Sequence, residues 1–164
     1  MDCGNSCISR LLSKLHQKYS GSDFIFSEVF SWVTLLPKIW ILLLKYCPNI
    51  KIIHENEDIF INLKDDELPL LEEYKHLLKE FQKAWWEYSN HEINIEYLEE
   101  NLKDNYCIIP IKNGEWSHFV ILDSIDENGV NLVDNKKWEF SVTVDEFENL
   151  IDLENGKYVL FVWK

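Results

Sequence analysis

Near the start of the chain, apolar residues recur at three- and four-residue steps: Cys7, Ile8, Leu11, Leu12, Leu15 and Tyr19. This is the spacing of a helix that buries one face. It predicts an opening helix with Cys3 at or near its N-terminus, Asp2 or Asn5 available as a cap, and Gly21 just past its end. The stretch 27–47 reads as one or two buried helices, with Pro37 near the first turn of the second and Pro48 as the stop. Two short β-prone runs follow, at 50–54 and 59–63, separated by a polar turn. Leu70, Leu71, Tyr74, Leu77, Leu78, Phe81, Trp85 and Tyr88 then keep helical period through one long helix. Asn94 can cap a shorter helix that carries Ile95, Leu98 and Leu102.

From Tyr106 the period becomes that of strands. Three runs are separated by Asn113-Gly114 and Asn128-Gly129, both hairpin signals whose glycines accept positive φ. A short helix at 144–151 intervenes, and Asn155-Gly156 precedes a last strand at 157–163. The resulting class is α+β, with N-terminal helices packed on a C-terminal antiparallel sheet.

Length and charge narrow the picture. A chain of 164 residues makes one domain, 1–164, with a real core. At 46% hydrophobic and 14% aromatic it has too much apolar surface to stay disordered. With 29 acidic against 16 basic residues the net charge is −13, which disfavours nucleic acid and anionic membranes as partners. The opening MDCGNS lacks the basic-then-apolar profile of a signal peptide. The most apolar run is broken by Pro37, Lys38 and Lys45 and falls short of the ~20 residues of a membrane span. The expectation is a cytoplasmic protein. Cys3, Cys7, Cys47 and Cys107 then imply no disulfide framework, and one CxxxC with two scattered cysteines is not a zinc set. No metal and no cofactor is expected.

Candidate chemistry centres on Cys3. A helix N-terminus offers unpaired backbone N–H groups and a partial positive charge, which favour a thiolate and can hold an oxyanion. Cys7, inside the apolar stripe, reads as core. Further on, alternation puts His118, Val120 and Leu122 on one side of their strand, and Val130, Leu132 and Asp134 on one side of the next. The turn between them brings His118 and Asp134 to the same end of a hairpin, with the register left open. An imidazole beside a carboxylate is an oriented base. Separately, His118 could be a sheet histidine and Asp134 a cap for the Asn135-Lys136 turn. With Cys3 they compose the Cys–His–Asp set of covalent acyl transfer. Gly4, next to the nucleophile, and Trp116 and Phe119, flanking His118, are the candidate substrate-binding positions. His16, His54, His76 and His91 lie in polar contexts and read as solvated.

Asp2-Cys3-Gly4 followed by Cys7, His118-Phe119-Val120 followed by Leu122, Asp134, and the Ile109-Pro110-Ile111 step together resemble the papain-like peptidases that process double-glycine leaders in bacteriocin exporters. The resemblance covers the opening helix and 106–150. It implies a papain-like fold, with Cys3 as nucleophile, His118 as general base and acid, and Asp134 as orienting group. It also implies a peptide substrate. Three features depart from the family. The glutamine that completes its oxyanion hole upstream of the cysteine has no counterpart here, Asn135 replaces a proline, and the segment between Cys3 and His118 is longer. Losing an oxyanion donor costs about 10²–10³ in rate, so either another group supplies it, the substrate is an activated acyl group, or the protein is a weak or inactive enzyme. DCGNSCISRLL, Phe26-Ser27-Glu28 and the His118 strand are also similar to the butirosin-type acyltransferases, which pass an acyl chain from a carrier-protein thioester to an amine in natural-product biosynthesis. The expected activity is thiol-dependent cleavage of a peptide or amide bond. The alternatives are acyl transfer from an acyl or peptidyl carrier protein, and an inactive relative that binds a peptide or protein.

Overall fold

Alternation along Tyr158–Trp163 sets the plan of the molecule. Tyr158, Leu160 and Val162 belong to one buried cluster, and Val159 and Phe161 to another. A strand buried on both sides needs cover on both sides, so the sheet that contains it is sandwiched between helices. In the computed structural model, which describes residues 3–15, 35–47, 49–54, 67–83, 87–114, 116–134, 139–151 and 158–164, the elements run α1 (Cys3–Lys14), α2 (Leu36–Leu44), β1 (Ile50–His54), α3 (Leu68–Gln82), β2 (Glu87–Asn90), α4 (Ile95–Leu102), β3 (Asn105–Asn113), β4 (Trp116–Asp126), β5 (Gly129–Val133), β6 (Glu139–Val142), α5 (Val144–Leu150) and β7 (Tyr158–Trp163). The class is α+β.

The strands form one sheet in the order β2-β1-β7-β3-β4-β5-β6. All neighbours are antiparallel except β1 and β2, which pair in parallel. On one face lie Ile8, Leu11 and Leu12 of α1, Ile39, Trp40 and Leu43 of α2, and Phe81 of α3. On the other lie Leu98 and Leu102 of α4 and Phe147 of α5. Each buried Leu, Ile or Phe contributes roughly 1.5–3 kcal/mol relative to exposure, so the two clusters hold the helices to the sheet more firmly than exposed pairs such as Lys83–Glu80 do.

Local signals act as read. Pro37 stands in the first turn of α2. The Asn94 side chain accepts from the Tyr97 N–H at 2.9 Å. Gly114 has φ +66° and Gly129 φ +133°. Four expectations are corrected. The sheet is not confined to the C-terminal part, because β1 and β2 come from the middle of the chain and extend it beyond β7. The long helix stops at Gln82, and Glu87–Asn90, read as its continuation, is a strand paired with β1. A neighbouring strand with open backbone groups outweighs a helical spacing of apolar side chains. The edge strand β6 was not foreseen. Asn5 is not a cap: α1 begins at Cys3, and Asn5 lies inside its first turn, buried. Asp2, Tyr19, Gly21, Pro48 and the runs 27–34 and 59–63 lie outside the described residues. Among the described residues no helix is long and apolar enough to cross a membrane.

Candidate active site

Two contacts align α1 on β4. The Cys7 thiol donates to the Phe119 carbonyl at 3.1 Å, and Lys14 pairs with Asp123. Seven helical residues span about 10 Å and four strand residues about 13 Å, so helix and strand run side by side in the same direction. Four residues before Cys7 the helix is about 6 Å back, which is about two strand residues. The backbone at Cys3 is therefore level with Ser117 and His118. No acidic residue occupies the first turn of α1, and Lys14 sits in the last, where it complements the helix dipole. The N-terminal end keeps its positive character at the residue that carries the thiol.

His118 and Asp134 are joined. The His118 Nε2 lies 2.7 Å from Asp134 Oδ1, with the side chains 19% and 24% exposed. With the carboxylate ionised, the Nε2–H donates. The register explains the pairing: Ile121 stands opposite Val133, so the next residues on each strand converge where β5 ends. A β-bulge between Leu122 and Ser124 adjusts the alignment. Because Asp134 engages Nε2, proton exchange with a nucleophile falls to Nδ1. By alternation His118 shares the side of Val120, in the cluster beneath α4 and α5, whereas Phe119 faces α1 and α2. Among the described residues, the β5 ladder on β4 ends at the Ile121–Val133 pair.

An apolar cleft lies on the α1 and α2 side of the sheet. It is lined by Gly4, which follows Cys3, and Phe119, which follows His118, together with Ile39, Trp40, Ile108, Tyr158 and Leu160. The opening admits a group about the size of a water or a methyl. Trp40 packs on Tyr158 at 5.2 Å and on Phe81 at 5.0 Å between ring centroids, which stiffens the floor.

Of the residues singled out from the sequence, the structure joins His118 to Asp134 and brings Gly4 and Phe119 into one cleft. Cys3 begins α1 and Trp116 begins β4, but their side chains lie outside the described residues. Cys7 is core, as expected, and is also tied to β4. His54 is corrected: at 2% exposed it is buried, with its ring 5.8 Å from that of Tyr158, because β1 is an inner strand. His76 and His91 are exposed, and His16 lies outside the described residues. Sequence reasoning missed Ile39, Trp40, Ile108, Tyr158 and Leu160, which come from three elements and share no local motif. It also missed that Asn5 and Ser6 are buried in the first turn of α1. Two polar residues in a row between cysteines were the available signal. Burial pushes the Cys47 thiol up, and the Cys107 thiol well above its ordinary value. Both are the wrong environment for a nucleophile. No protein-family model, curated protein or solved structure matches this chain.

Proposed function

We propose that this chain is a papain-like thiol enzyme in which Cys3 attacks a carbonyl carbon, His118 carries the proton and Asp134 orients the ring, and that its reaction is cleavage of a peptide or amide bond. The observation that carries this reading is the 2.7 Å His118–Asp134 pair on β4, the strand along which α1 packs with its first turn level with Ser117 and His118.

The chemistry follows from those roles. The Cys3 thiolate forms a C–S bond to the carbonyl carbon. The charge that develops on the oxygen is met by backbone N–H groups at the helix start. The protonated His118 gives its Nδ1 proton to the departing amine as the C–N bond breaks. Water then attacks the thioester, His118 takes its proton, and the C–S bond breaks to release the acid and restore the thiolate. Asp134 keeps the Nε2 hydrogen in place throughout, so that Nδ1 is always the exchanging nitrogen. The cleft beside Gly4 and Phe119 accepts a small apolar group of the acyl part, which supports a substrate with a small residue next to the scissile carbonyl.

The deciding experiment is intact-protein mass spectrometry after mixing with a peptide panel and, separately, with small acyl thioesters, each with and without amines. An adduct on Cys3 with release of the peptide's amine half, absent in Cys3→Ala and slowed in His118→Ala, is the expected result. An adduct from thioesters alone, discharged to amines and not to water, would replace hydrolysis by acyl transfer, with a carrier protein as the natural donor. No adduct from either class, with a peptide bound tightly, would overturn the enzymatic reading in favour of a binding protein.

A further inference from the structure

The Phe119 carbonyl stands opposite a residue with no hydrogen to offer. Pro110 pairs with Phe119 across β3 and β4. Proline has no backbone N–H, so β3 cannot satisfy this oxygen whichever way it points. On the other side, among the described residues, the ladder of β5 ends at Val133, opposite Ile121. Among the described residues, the Cys7 thiol donates to this oxygen at 3.1 Å, from a residue 1% exposed. The contact is partly buried, where a carbonyl shielded from water gains from a donor, so it is more than packing. Its position gives it a second consequence. Cys7 lies one turn after Cys3, and Phe119 follows His118. The bond joins the neighbours of the two groups that the reaction has to bring together. The other tie between α1 and β4, Lys14–Asp123, is at the far end of the helix and exposed, so it cannot fix the first turn.

We infer that Cys7 is a positioning residue of the thiol site: its hydrogen bond to the Phe119 carbonyl holds the first turn of α1, and Cys3 with it, at the level of His118. The role of Cys7 rests on the reading of Cys3, His118 and Asp134 as that site. A residue of similar volume without a donor fills the space and removes this hydrogen bond. Serine keeps a donor in a slightly smaller side chain.

Cys7→Val and Cys7→Ser are compared with the wild type in two measurements, after thermal melts show all three folded. The first is hydrogen–deuterium exchange of the amides of 7–11, which close the first turns of α1. The second is the pH profile of Cys3 alkylation by iodoacetamide, mapped by peptide. In Cys7→Val, exchange should quicken about tenfold and the profile should move about one pH unit toward that of a free thiol; in Cys7→Ser both should stay within about threefold of wild type. Wild-type exchange in Cys7→Val would overturn the proposal. So would a Cys7→Ser variant as defective as Cys7→Val. If Cys3 of the wild type already alkylates as an ordinary thiol, the enzymatic reading fails on its own, and the exchange comparison alone decides whether Cys7 fixes the helix.

Discussion

At the residue scale the cysteines separate by environment. Cys7, Cys47 and Cys107 are buried and reduced, and burial raises the thiols of Cys47 and Cys107. Cys3 starts a helix. Iodoacetamide at neutral pH should therefore label Cys3 first, with Cys107 last; peptide mapping over time checks the order, and Cys3 as the slowest of the four would mark it as structural. The same burial makes stability depend on pH. The folded Cys107 thiol holds its proton to higher pH than the unfolded chain does. Its contribution is complete below the ordinary thiol range and is lost as the unfolded thiol ionises, above roughly pH 8.5. Urea midpoints should fall across that range in the wild type and fall less in Cys107→Ala, whose overall stability is lower because of the cavity. Asp134 can be tested for what it supplies. Asp134→Ala removes the ring's partner and should slow Cys3 acylation about a hundredfold, whereas Asp134→Asn keeps an acceptor oxygen for the ring and should lose less. Equal losses in the two variants would show that charge, not orientation, is what the carboxylate provides.

At the element scale, the turns carry the tightest constraint. Gly129 has φ +133°, and a Cβ there would lie 2.3 Å from the Val142 carbonyl oxygen, a backbone atom of β6. Gly114 has φ +66° but meets nothing within 4 Å. Gly129→Ala should cost about 3 kcal/mol and Gly114→Ala about 1 kcal/mol, since only the first combines strain with a clash. Thermal melts of the two variants side by side check the difference. Both turns were legible beforehand because an Asn-Gly pair between strand-period runs is a local signal. The stripe of α1, the Asn94 cap and the His118–Asp134 end of the hairpin were legible for the same reason. The strand at Glu87–Asn90 was not, because what makes it a strand is the open edge of β1, more than thirty residues earlier in the chain. Nor was the cleft, whose walls are assembled from α1, α2, β3, β4 and β7. The Cys7–Phe119 bond needed the alignment of a helix on a strand as well as the identity of Pro110, which no periodicity contains.

At the scale of the whole molecule, charge and packing oppose each other. The core closes both faces of the sheet, yet the chain carries a net charge of −13. Excess charge of one sign destabilises the compact state by self-repulsion. Against this stand, among the described residues, the exposed ion pairs Lys14–Asp123, Lys75–Glu72 and Lys83–Glu80, each of which contributes little. Lys38–Glu73, at 3.0 Å between α2 and α3, is mostly buried and less open to screening. Added salt weakens the repulsion and the exposed pairs together, and the sign of its effect shows which is larger. The repulsion involves every uncompensated carboxylate, whereas the exposed pairs are short-range and local. Raising sodium chloride from about 20 mM to about 300 mM at pH 7 shortens the screening length from roughly 20 Å to roughly 6 Å, which removes most interactions between separated surface charges. The thermal midpoint should rise by about 2–4 °C, equivalent to about 1 kcal/mol for a chain of this size. Most of the rise should come below about 150 mM, where screening changes fastest. A continued linear rise at higher salt would point instead to exclusion of salt from apolar surface. A fall in the midpoint would mean that the ion pairs outweigh the repulsion. In that case Lys14→Ala, which removes the tie between α1 and Asp123, should lower the midpoint by a similar amount at low salt and by less at high salt.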